Sequence, residues 1–208
     1  RDWSSDVCSS DLKAVIDSTH LPVTVKTRLG WDDNSINIDE VAERLQDIGV
    51  SALSIHARTR AQMYKGHSDW SHIARVKNNP RITMPIFGNG DIDSPEKALE
   101  YKNKYGVDGI MIGRAAIGYP WIFNEIKHFF KTGEHLAKPT VADRVEAVRN
   151  HLTWAMDWKG ERHGIVETRP HYTNYFKGIH SFKTYKQQLV TLDKPEELFA
   201  VLDEIIDA

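Results

Sequence analysis

Cysteine is almost absent. The 208-residue chain holds one, Cys8, so no internal disulfide can form, and a reducing, cytoplasmic setting is the expectation. Long apolar runs are missing as well. Nothing approaches the roughly 18 consecutive apolar residues of a membrane-spanning helix, and no secretory h-region follows the start. No charge sign dominates: the net charge is −2, which demands no particular partner. No repeat of fixed period is visible. An initiating Met is lacking too. The opening RDWSSDVCSSDL is polar, Ser-rich and aperiodic. Residues 1–12 therefore read as a non-native scar, outside fold reasoning, and Cys8 goes with them.

What is present is a 40% hydrophobic chain with a repeating order of elements. PVTVKTR, residues 22–28, is a β-branched run bounded by Pro22 and Gly30 and reads as a strand. IDEVAERLQDI, 38–48, puts Val41, Leu45 and Ile48 on one helical face, and Gly49 stops it. SALSIHAR, 51–58, is a second strand, followed by a helix near 69–78. MPIFGNG, 84–90, is a third strand. Asp93 or Ser94 caps the next helix, with Pro95 in its first turn. VDGIMIG, 107–113, is the fourth strand, with a helix from about 121 to 131. Strand and helix thus alternate four times, the pattern of an α/β fold with a parallel sheet. The strands are near-continuous apolar runs, which predicts burial on both faces.

After about residue 138 no strand is needed. Helices are expected over 141–158, 168–180 and 195–206, joined to the rest through TGEHLAKPT. Charge shifts along this part. Nine Lys or Arg stand against five acids between Lys138 and Val190, and one Lys against six acids in the last eighteen residues. The basic stretch also carries Trp154, Trp158, Tyr172, Tyr175, Phe176, Phe182 and Tyr185 among Arg162, Arg169, Lys177, Lys183 and Lys186. Bases can stack on aromatics while cations meet phosphates. The same aromatics can equally be bundle core with solvated charges around it, and the sequence alone favours that reading.

In parallel α/β folds ligands sit beyond the carboxyl ends of the strands. The first strand delivers Lys26 and Arg28 there, the second His56, Arg58 and Arg60, the third Asn89, Gly90 and Asp91, the fourth Gly113 and Arg114. Each has an ordinary structural reading when taken singly. Together they make a mostly cationic rim suited to an anion such as a cofactor phosphate. Gly88, Gly90 and Gly113 would let backbone approach a ligand. Asp91 would repel a phosphate, so it fits a ribityl-type hydroxyl or a neighbouring Arg. Arg58 and Arg60 are candidates for substrate phosphate or base contacts, or else for a salt bridge across the rim. No metal site is expected.

VTVKTRLGWDD, SIHARTRAQMYKG, the Asp69–Trp70 pair, PIFGNGDI and GIMIGRAAIGYPWIF together resemble the tRNA-dihydrouridine synthases, most closely the bacterial DusB branch. The resemblance is strong over about 13–130 and weak in the helical tail. It implies a TIM-type (β/α)8 barrel followed by a helical domain, with FMN as cofactor, NADPH as reductant, and reduction of uridine to 5,6-dihydrouridine in tRNA. It implies that Lys26 touches the flavin ring, where a cation stabilises reduced-flavin charge, that His56 belongs to the flavin site, and that Asn89, Gly90, Asp91, Gly113 and Arg114 hold the phosphate and ribityl region. It also implies that the tail binds tRNA, and Lys177 in the basic stretch is a candidate contact.

The domain expectation is then a partial FMN-binding barrel over 13–137 and a helical tRNA-binding domain over 138–208. Family members carry four further strands upstream, with the catalytic cysteine among them. Cys8 matches no family motif, so no catalytic residue is expected in this chain, which reads as an incomplete fragment, unstable alone. Neither a membrane nor an obligate protein partner is implied. Two other readings stand beside this one: another FMN-dependent barrel reductase acting on a free small molecule, and a non-catalytic RNA-binding remnant.

Overall fold

The computed structural model describes residues 5–180 and 182–206, with side chains from Ser10 onward. They form two compact units, one running to Gly113 and one starting at Arg114. Residues 1–4 of the segment set aside above lie outside the described residues. Its remainder begins helix α1, Ser5–Asp17.

The first unit is α/β. After α1 come β1 (Thr24–Arg28), α2 (Ile38–Asp47), β2 (Ala52–His56), α3 (Ser71–Lys77), β3 (Ile86–Asn89), α4 (Pro95–Tyr105) and β4 (Gly109–Met111). The strands pair in parallel in the order β1-β2-β3-β4. Three βα units and a fourth parallel strand thus follow one another, the alternation of a TIM-type barrel. Local chemistry sets the boundaries. Ser94 caps α4 by accepting the Lys97 N–H, Pro95 fills its first position, and Gly106 ends it at φ +66°.

The two faces of the sheet differ. Leu53, Ile55 and Ile86 are fully buried on the helix-covered face, as are Ala42, Ile73 and Ala98 of the helices. The alternate positions, Lys26, Ser54 and Phe87 and then Arg28, Asn89 and Met111, remain at least partly exposed. The expectation of burial on both faces fails for the described residues: every second position carries the polar or half-buried side chain. Gly88 belongs to the covered face. A Cβ there would fall 2.0 Å from the Trp70 ring, so the missing side chain makes room for that indole, not for a ligand as expected.

The second unit is helical: a 3-10 turn Arg114–Ala116, then α5 (Ile122–Thr132), α6 (Val141–Lys159), α7 (Glu161–Tyr175), α8 (Phe182–Thr191) and α9 (Pro195–Ile206). A capping box between Thr140 and Asp143 starts α6. The helix expected over 168–180 begins seven residues earlier and ends at Tyr175, while α8 was not expected. Tyr172, Tyr175, Phe176 and Phe182 lie in the core with Val148, Leu152 and Leu202. Trp154 and Trp158, one helical turn apart on α6, stay 69% and 82% exposed. The tail aromatics therefore divide, most into core and two onto the surface. Among the described residues no helix is long and apolar enough to cross a membrane.

Candidate active-site rim of the parallel sheet

Strand register builds this rim. Arg28 pairs with His56, His56 with Asn89, and Asn89 with Met111, so the last residues of four strands form one row. Lys26 lies two residues earlier in β1, on the same face as Arg28. Lys26, His56 and Asn89, expected to share a site, therefore share one face of adjacent strands near their carboxyl ends.

The electrostatics of this face are cationic but graded. Burial, then Arg28, pulls the Lys26 ammonium below the usual lysine range. His56 is buried; burial first, then Arg28, Lys26 and Arg58, bring its imidazole down to about 4. It is neutral at pH 7 and offers one donor and one acceptor nitrogen. Asn89 donates its side-chain N–H to the Met111 carbonyl at 2.8 Å, which fixes the orientation of its amide. Lys26 makes no hydrogen bond or ion pair with the described residues. An oxygen-rich anion set against Lys26 would relieve its repulsion with Arg28.

Arg58 and Asp91 do something else. Arg58 is 1% exposed. Its Nη2 donates to both Asp91 carboxylate oxygens at 2.9 and 2.7 Å and to the Gly66 carbonyl at 2.7 Å, and its Nε to the Lys65 carbonyl at 3.2 Å. Asp91 also accepts the Ser68 N–H at 2.8 Å. Burial opposes the charge on Asp91, but the Ser68 N–H and Arg58 outweigh it and set the carboxyl at about 2. The reading of Arg58 as a substrate contact is corrected: a buried, forked guanidinium cannot reach a phosphate, and the salt bridge across the rim is what forms. For Asp91 the neighbouring-Arg role is the one realised. Register accounts for this: His56 and Asn89 are partners, so residues two further along each chain, Arg58 and Asp91, come opposite.

Gly90 sits at φ +135°, where a Cβ would meet Ser68 at 2.7 Å and His56 at 3.4 Å; its bareness lets the β2 and β3 loops close together. At Gly113 a Cβ would meet nothing within 4 Å, so that backbone is open. Arg114 is exposed and opens the second unit. Arg60 is exposed on the β2–α3 loop, and Lys177 is exposed just past α7.

A family model described as Dihydrouridine synthase (Dus) matches residues 4–208. The chain belongs to the dihydrouridine synthase family. It is 42% identical over 200 residues to a probable tRNA-dihydrouridine synthase 1 of Synechocystis, across 96% of this chain and 56% of that protein. It is 38% identical over 183 residues to a probable tRNA-dihydrouridine synthase of Rickettsia conorii, across 88% and 55%. It is 37% identical over 196 residues to tRNA-dihydrouridine synthase B of Shewanella oneidensis, across 94% and 60%. The chain thus spans about 55–60% of the length of these curated relatives.

Within this member of the family, the sequence did not show Arg28 as a structural donor. Its Nη1 holds the Thr59 and Met63 carbonyls at 2.9 and 3.0 Å. Ser68, which ties Asp91 to the loop, was also missed. Arg28 lies inside a quoted motif and Ser68 beside one, but neither motif shows which groups they bind.

Proposed function

We propose that this chain carries part of the flavin site of an enzyme that reduces uridine in tRNA to 5,6-dihydrouridine, with FMN as cofactor and NADPH as reductant. The observation that carries the proposal is that Lys26, His56 and Asn89 share one face of adjacent parallel strands, in a chain of the dihydrouridine synthase family. Bound there, FMN would supply the hydride chemistry.

The residues fit such a group. Lys26 has a cation to offer, with no acid partner among the described residues. His56 is held neutral by burial and by three cations, so it can donate to a carbonyl or accept from a ring N–H without adding charge. Asn89 offers an amide oxygen of fixed orientation. Gly90, Gly113 and Arg114 are the phosphate candidates by their motifs, and Gly113 leaves its backbone accessible. Asp91 acts through Arg58 and not on the cofactor. Arg60 and Lys177 are exposed cations suited to tRNA phosphates.

The test is FMN titration of the 208-residue chain, followed by flavin fluorescence and the visible absorbance band. Saturable quenching is expected, and Lys26→Met should weaken it about tenfold, the loss of one charge-assisted contact. An unperturbed flavin spectrum at millimolar FMN, or a Lys26→Met variant that binds like the parent, would sink the reading.

A further inference from the structure

Two aromatic rings beside this rim stand out in solvent on loops that are not loose. Trp31 is 63% exposed and Tyr64 is 57% exposed. Trp31 lies in the loop after β1. That loop is closed by a bridge between Gly30 and Ile36 and by an Asp32 turn, in which Asp32 Oδ1 accepts the Asn34 N–H at 3.0 Å and the Ser35 hydroxyl at 2.8 Å. The loop after β2 is laced to it: the Arg60 N–H donates to the Gly30 carbonyl at 2.9 Å and the Ala61 N–H to the Trp31 carbonyl at 2.8 Å.

The second loop is held from beneath by two arginines. Arg28 takes the carbonyls of Thr59 and Met63, and Arg58 those of Lys65 and Gly66. Met63 is kept at φ +51°, a costly conformation for a side chain of its kind. Each exposed ring also has a guanidinium over it. The Arg60 guanidinium is 6.0 Å from the Trp31 ring and that of Arg28 is 5.8 Å from the Tyr64 ring.

Large rings left in water on fixed backbone do not serve the core. A preorganised flat face flanked by guanidinium matches a ligand with a π-face and nearby negative charge, which is an unpaired nucleobase in an RNA strand. We propose that Trp31 and Tyr64 are stacking residues for unpaired bases of the RNA substrate, held in place by Arg28 and Arg58. This rests on the reading of function above. The carboxylate of Asp32 is engaged in its own turn, but Asp33 is exposed beside Trp31 and repels phosphate there. The rings therefore take the base face, and the Arg60 guanidinium meets the negative charge of the strand.

The experiment measures binding of unmodified tRNA and of oligouridylate to the 208-residue chain by anisotropy across a salt series. Trp31→Ala and Tyr64→Ala should each weaken binding roughly five- to a hundredfold, the range for loss of one stacked base. Tyr64→Phe should bind like the parent. The slope of log affinity against log salt should stay unchanged, because losing a stack releases no counterions. Tyr64→Leu and Trp31→Leu replace any Ala variant that fails to fold by circular dichroism. Parent-like affinity in both variants overturns this inference alone, as does a flattened salt slope, which would mark phosphate contacts. If the parent chain binds neither RNA, the functional reading falls and takes this one with it.

Discussion

Replacing Asp91 by Asn should cost about 3 kcal/mol of unfolding free energy. The figure follows from the geometry around one guanidinium. Arg58 is 1% exposed, and its Nη1 is already buried without a partner. Its charge is balanced by Asp91, which takes two N–H bonds from Arg58 and one from Ser68. Removing one member of a buried pair typically costs roughly 3–5 kcal/mol, because the other charge is left uncompensated. The Asp91 side chain keeps 19% of its surface in water, which screens part of that loss and sets the lower end. Asn isolates the charge, since Asp91 sits at φ +54° and Asn tolerates that region. Asp91→Ala should cost roughly 1 kcal/mol more through backbone strain. Arg58→Met in the Asp91→Asn background removes the stranded charge and should recover part of the loss. Urea denaturation gives the free energies, and amide exchange at Ser68, which donates to Asp91, reports whether the loop opens. A loss below about 1 kcal/mol for Asp91→Asn, or a Ser68 amide as protected as in the parent, would refute the reasoning.

Stability should also fall in acid through His56. Its folded value of about 4 lies below the ordinary 6.5, so the unfolded chain binds the proton first. The contribution is complete above 6.5 and is lost as pH falls toward 4, to a limit of about 3 kcal/mol; urea midpoints for His56→Gln should show a shallower fall between those pH values. Gly88→Ala should lower stability by roughly 1–3 kcal/mol, because its Cβ would lie 2.0–2.9 Å from three Trp70 ring atoms, and a thermal melt reads this directly. Neutralising Lys177, Lys183 and Lys186 together should weaken tRNA binding and flatten its salt slope; an unchanged slope in the anisotropy series would exclude phosphate contacts there.

The element order of the first unit was legible because its punctuation is local. Ser94-Pro95 opens α4 and Gly106 closes it, and a β-branched run marks β1. The sidedness of the sheet was not, since Lys26, Ser54 and His56 sit inside otherwise apolar runs and hide the alternation. In the helical unit α7 runs through Gly164 and Pro170, residues that normally break helices. Gly164 is tolerated for a tertiary reason: a Cβ there would strike the α6 backbone at Met156 N, 2.4 Å away. The first turn of α8 holds no acidic residue and its last turn no basic one, so little in the sequence announces it. At the rim, motifs named Lys26, His56, Asn89 and Asp91, but the job of Asp91 depends on which strand lies next to which. Short motifs carry residue types; pairing assigns their partners.

One buried side chain gives the sheet tip its own optical probe. The Trp70 indole donates to the Gly90 carbonyl at 3.1 Å and touches the rings of Tyr101 and Tyr105 at 5.0 and 5.6 Å. Its emission and near-ultraviolet ellipticity depend on that carbonyl and those phenols. A shift of the glycine turn, whether by ligand, heat or substitution, should change the Trp70 contribution, read as the difference between the parent and a Trp70→Phe variant because the chain holds five other tryptophans.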